Sequence, residues 1–220
     1  MPRWFRNNGL TIALLSLFLI SIIGQFMSGW YWQNEELERH GKETLSLGAW
    51  ALDPQFLSSV FENWESEFLQ MGTYVVLTAI LIQKGSAESR APDEPPRDGD
   101  LKEKSRNKTS PAMLGRGELG RWLYARSLGL TLFTLFVLSF LMHWWNSAGS
   151  AIEEAISHGS EPPGRLAYLG DPQLWYESFQ NWQSEFLSTA VLVVLSIWLR
   201  QKESPESKPV AAPHSQTGTG

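Results

Sequence analysis

Residues Phe61–Leu69 read Phe-Glu-Asn-Trp-Glu-Ser-Glu-Phe-Leu, and residues Phe179–Leu187 read Phe-Gln-Asn-Trp-Gln-Ser-Glu-Phe-Leu. The blocks stand 118 residues apart, and the same offset aligns Arg3–Ser89 with Arg121–Ser207 without a gap. Identical residues fill 32 of those 87 positions, so the chain is a tandem duplication and its fold is to be read one repeat at a time. Working outward, Asp53-Pro54-Gln55 recurs as Asp171-Pro172-Gln173, and Glu35-Glu36 with His40-Gly41 recurs as Glu153-Glu154 with His158-Gly159. This divides the chain into a first repeat at 3–89, a linker at 90–120, a second repeat at 121–207 and a tail at 208–220.

Each repeat opens on a stretch without charge. Gly9–Trp32 and Ser127–Ser150 are each 24 residues long and contain no Asp, Glu, Lys or Arg. About 20 apolar residues cross a bilayer core, so both are membrane-span candidates. The mean hydropathy of the whole chain is only -0.20 because polar loops dilute the spans. A charged start followed by an apolar run also describes a signal peptide, but the pattern recurs internally, so the first span is expected to remain as an anchor. Shorter apolar runs, Phe68–Gln83 and Phe186–Leu199, follow in each repeat and bring the expected crossings to four. The fold expected is therefore all-α: an integral membrane four-helix bundle of two tandem two-helix repeats.

Lys and Arg set the orientation. The N-terminus, linker and tail hold 15 of them, and the two remaining loops hold only Arg39, Lys42 and Arg165. The positive-inside bias then puts both termini in the cytoplasm. Trp64 and Trp182 are expected at the outer membrane interface, where indole rings favour the amphipathic boundary. Asp-Pro at residues 53–54 and 171–172 signals helix starts, and His40-Gly41 a helix stop. A helix from Pro54 to Lys84 would span about 46 Å, so the hairpins are expected to project roughly 15 Å outside. Residues 90–120 and the tail read as disordered by composition.

Function is less legible. With no cysteine, thiolate metal sites, disulfides and cysteine nucleophiles are excluded. A net charge of -5 gives no reason to expect nucleic acid, and no catalytic or phosphate-binding motif occurs. No cofactor is implied. On a helix, Asn63, Glu67, Gln70 and Tyr74 form a polar stripe, repeated by Asn181, Glu185 and Ser188. Facing one another near the outer interface, Asn63, Glu67, Asn181 and Glu185 would hold a hard cation or share a proton; the alternative is that both acids sit among headgroups. Glu36 with His40, and Glu154 with His158, share helix faces suited to a metal, although helix capping accounts for the histidines more simply. His143 replaces Gln25 of the first repeat inside a span, as a helix–helix hydrogen bond or a relay. The basic run Lys102–Lys108 could hold anionic lipid, although a solvated linker that also enforces topology is the simpler reading.

The two F-[EQ]-N-W-[EQ]-S-E-F blocks, the His-Gly after each first span and the Q-K-x-S-x-E-S ends at Gln83–Ser89 and Gln201–Ser207 resemble a family of small bacterial inner-membrane proteins catalogued only as a domain of unknown function. The resemblance implies a bacterial plasma-membrane location and brings no activity, ligand or catalytic residue. The expected role is a non-catalytic envelope scaffold or interaction protein, with membrane lipids and an outer-face protein as partners. The alternative is a small transport or ion-handling unit, which needs a polar path through both leaflets. That path is thin: only Thr78 breaks Val75–Leu81 and only Ser196 breaks Val193–Ile197, so Ser16, Ser21, Thr131, Thr134, Ser139 and His143 would have to complete it.

Overall fold

The computed structural model describes residues 3–95, 98, 101–104 and 111–218, and all regular structure among them is helical. In chain order the helices are α1 (Arg3–Arg39), α2 (Leu47–Trp50), α3 (Pro54–Ile80), α4 (Leu101–Lys104), α5 (Gly117–Ala125), α6 (Ser127–Ser157) and α7 (Pro172–Leu195), with single 3-10 turns at Ala112–Gly115 and Ala167–Gly170. The all-α expectation holds. Among the described residues two helices, α1 and α6, are long and apolar enough to cross a membrane. Neither α3 nor α7 meets that measure, so the described residues hold two candidate spans where four were expected. Part of the basic run, 105–108, lies outside the described residues.

Local chemistry accounts for the helix ends. Asp53 Oδ1 accepts the Gln55 amide at 2.9 Å and Asp171 Oδ1 the Gln173 amide at 2.9 Å, each ahead of a proline whose missing N–H is no loss in a first turn. At the other ends Gly41 and Gly159 turn at φ +66° and +68°. That left-handed step lets Lys42 N reach Leu37 O at 2.9 Å and Ser160 N reach Ala155 O at 2.9 Å. Helix α3 stops at Ile80, four residues short of the expected Lys84. Beyond it the Ser-rich end forms a turn of its own, with Gln83 N donating to Ser89 Oγ at 3.0 Å; the second repeat copies this with Gln201 N on Ser207 Oγ at 2.9 Å. Serine hydroxyls there offer the backbone an alternative to the helix.

Helix α3 is the hub of the bundle. Small residues let α6 come close: a Cβ added at Gly72 would lie 3.4 Å from Leu132 Cβ, one at Gly129 3.4 Å from Val76, and one at Gly149 3.2 Å from Pro54. On another side Phe56 packs edge-on against Phe26 of α1, and Trp50 covers Gly29. These contacts fix the register. Residues Pro54 to Val76 of α3 run antiparallel beside the charge-free stretch of α6, and Phe56 to Trp64 run beside Phe26 to Phe18 of α1. Glu62 and Glu65 therefore lie level with uncharged helix.

The connectors fold back instead of reaching outward. Trp30 Nε1 donates to Leu45 O at 2.7 Å and Trp50 Nε1 to Phe26 O at 3.0 Å. In the second half Trp144 Nε1 donates to Arg165 O at 3.0 Å, while the Arg165 guanidinium stacks 4.1 Å from the Trp145 ring and donates to Trp145 O at 2.7 Å. Helix α3 thus starts level with Gly149, and it is the ends of α1 and α6 that extend past it. The tail, expected to be disordered, lies against the end of α3. Lys208 Nζ donates to Gly85 O at 2.6 Å and to the carbonyls of Ile197, His214 and Gln216 at 3.0–3.1 Å.

Candidate functional site

The densest polar cluster sits where α3, α6 and α7 meet. His143 of α6 and Glu65 of α3 are both fully buried. His143 Nδ1 lies 3.0 Å from Glu65 Oε2, and Nε2 lies 3.3 Å from Glu177 Oε2 on α7. Carboxylates only accept, so the ring donates to both as an imidazolium, or one acid carries the proton in its place. In either arrangement the three groups hold two protons among them.

Each acid is further surrounded by donors. Ser178 Oγ donates to Glu65 Oε1 at 2.8 Å, and Trp182 Nε1 donates to the same oxygen at 3.1 Å. Glu177 receives Ser147 Oγ at 3.0 Å and Gln173 Nε2 at 2.9 Å. Ser147 in turn bonds the Tyr168 hydroxyl at 3.0 Å. Burial holds the Tyr168 phenol above its ordinary value, so it remains a neutral hydroxyl. Three donors on each carboxylate suit the charged form of both acids, with the imidazolium between them. Glu177, its side chain 24% exposed, is the member that meets solvent.

The expected stripe is present in altered form. Asn63 is exposed and donates to Ser59 O in its own helix at 2.6 Å, so it does not face α7. Its neighbour Glu62 takes that place and accepts from Asn181. Glu67 is exposed and Glu185 half-buried, and the two lie within electrostatic range of each other. Gln70 donates to Thr189 one turn further in. A cleft of about 350 Å³ then opens between the C-terminal halves of α3 and α7, lined by Gln70, Thr73, Tyr74, Thr78, Glu88 and Thr189 on a mostly apolar surface. Tyr74 Oη donates to Glu88 Oε2 at 2.9 Å. Polar groups therefore recur turn by turn along the whole α3–α7 seam.

The remaining candidates separate. His40 Nδ1 lies 2.9 Å from Glu36 O, and His158 Nδ1 lies 2.9 Å from Glu154 O, which is helix capping. Glu36 and Glu154 sit on different helices, and among the described residues no group of three or more Asp, Glu or His is placed to hold a metal. Trp64 packs on Phe18 near the middle of the charge-free stretch of α1. Trp182 spends its N–H on Glu65.

Glu65, Glu177 and Ser178 escaped the reading from sequence because it sought what the repeats share. A signal was there in what they do not share. His143 stands against Gln25, Glu177 against Ser59, Glu65 against Gln183 and Ser178 against Val60. In the first repeat Gln25 Nε2 donates to Ser59 Oγ at 3.1 Å, the neutral counterpart of the His143–Glu177 contact.

A family model described as a domain of unknown function, DUF6766, matches residues 1–219. No curated protein and no solved structure matches the chain.

Proposed function

Since the chain belongs to the DUF6766 family, whose description carries no activity, we propose a function from its geometry: a multi-pass plasma-membrane protein that handles protons or small cations along the α3–α7 seam. In this reading all four long helices cross the membrane, with both termini in the cytoplasm. Part of the low hydropathy of α3 and α7 comes from polar residues turned toward the other helix, Glu65, Gln70, Asn181 and Thr189 among them. The location rests on α1, whose apolar window has a mean hydropathy of 2.2 with none of it buried, a poor fit to the core helix of a soluble protein.

The observation that carries the function is the seam itself. From Glu177 through His143, Glu65, Glu62 with Asn181, Glu67 with Glu185, and Gln70 with Thr189 to Tyr74 and Glu88, each helical turn offers a polar side chain. Ionisable groups at membrane depth are costly and mark ion or proton pathways by default. In this reading the seam supplies a polar path that Thr78 and Ser196 alone leave thin. The scaffold reading retains one specific support: Leu52 and Leu166, at the folded-back connectors, are 78% and 76% exposed, an apolar surface open to a partner protein on the outer face.

Purified protein in liposomes loaded with a pH-sensitive dye tests the proposal. Under an imposed pH gradient with a clamped potential, proton entry should exceed that of empty liposomes, and Glu177→Gln should slow it. Rates equal to empty liposomes under proton, sodium and potassium gradients would sink the ion-handling reading.

A further inference from the structure

The α3–α7 cleft, at about 350 Å³, is of a size that admits a small organic molecule. Its walls are mostly hydrocarbon, with Leu77, Leu81, Phe186 and Val193 prominent. Glu88 brings the charge to that lining. One of its oxygens accepts from Tyr74, while Oε1 is buried and meets no donor. No Lys, Arg or His pairs with Glu88 among the described residues. The charged side chain it does reach is Glu206, its equivalent in the second repeat.

A buried acceptor without a donor calls for an explanation, and a second acid beside it makes the place attractive to positive charge. A hard divalent ion is a poor occupant, because it favours several charged oxygen ligands, whereas Glu88 is the one carboxylate on a lining whose surface is mostly apolar. An ammonium head on a hydrocarbon body matches both parts of the cleft. We infer that the α3–α7 cleft binds a monovalent organic cation, its charged head against Glu88 and its hydrocarbon part along Leu77 and Phe186. The inference is independent of proton flux through the seam, so either can fail while the other stands.

Benzylammonium, whose N–H groups can reach an acceptor without a donor, is a suitable probe, with binding to the full chain in detergent micelles followed by equilibrium dialysis. Saturable binding near one per chain is expected. Glu88→Gln should weaken it by at least about tenfold, while Glu88→Asp, which keeps the charge, should retain it. The uncharged isostere ethylbenzene should displace the probe at least about tenfold less well than unlabelled cation. The inference is overturned by the absence of saturable binding to the parent chain. It is equally overturned if Glu88→Gln binds as the parent does, if Glu88→Asp loses binding while remaining folded, or if the neutral isostere competes equally.

Discussion

Replacing His143 by Leu tests whether the centre of the bundle is an ion-paired network or merely a polar contact. The substitution removes the ring nitrogens that stand 3.0 Å from Glu65 and 3.3 Å from Glu177. Glu177 is partly exposed and can take up water, but Glu65 is fully buried and keeps only Ser178 and Trp182 as donors. Stranding a buried charge by deleting its partner costs about 3–5 kcal/mol, and Glu65 carries most of that here. A loss of about 3–4 kcal/mol is therefore expected, read as a shift in the midpoint of unfolding by sodium dodecyl sulfate in mixed micelles. Adding Glu65→Gln to the Leu variant removes the stranded charge, and should return the deficit to about 1–2 kcal/mol of lost hydrogen bonds and packing. The sign of that coupling is the decisive measurement. If the single variant lost less than about 1 kcal/mol, or the second substitution added to the damage, the ion-paired account of the triad would be wrong.

Further outcomes are expected elsewhere in the molecule. In Gly29→Ala the new methyl would stand 2.9 Å from Trp50 Cζ2, so the indole must shift and its bond to Phe26 O must lengthen; a loss of about 1–3 kcal/mol in the same unfolding assay is expected. Asp53→Ala and Asp171→Ala each remove a helix cap and should cost about 1 kcal/mol apiece. Burial, with Glu206 beside it, raises the Glu88 carboxyl above its ordinary value of 4.5. The folded state then holds that proton more tightly than the unfolded one, so this contribution is complete below 4.5 and is lost as pH rises through the raised value. A thermal midpoint that falls over that window in the parent, and falls less in Glu88→Gln, is the expected result. Reporter fusions after Asp100 and after Ser215 should show cytoplasmic activity if the Lys and Arg distribution sets the orientation, and periplasmic activity at either would reverse it.

Much of the architecture is decided by sequence because its causes are local. The helix starts at Asp53-Pro54 and Asp171-Pro172 and the left-handed stops at Gly41 and Gly159 depend on side chains within a few residues, so spacing alone reveals them. The 87-residue repeat at an offset of 118 likewise announces two halves of one pattern. What sequence alone left open is how the halves meet, since that depends on residues far apart in the chain. Gly72, Gly129 and Gly149 allow α6 to approach α3, and that approach carries His143 onto Glu65, 78 residues away. The same packing turns Glu62 instead of Asn63 toward Asn181, one step around a helix that no periodicity argument resolves. A stripe of polar residues on one helix is only a possibility until a second helix covers it. Tertiary packing here makes α3 and α7 cover each other, and that is why the polar seam belongs to the folded molecule and not to either helix.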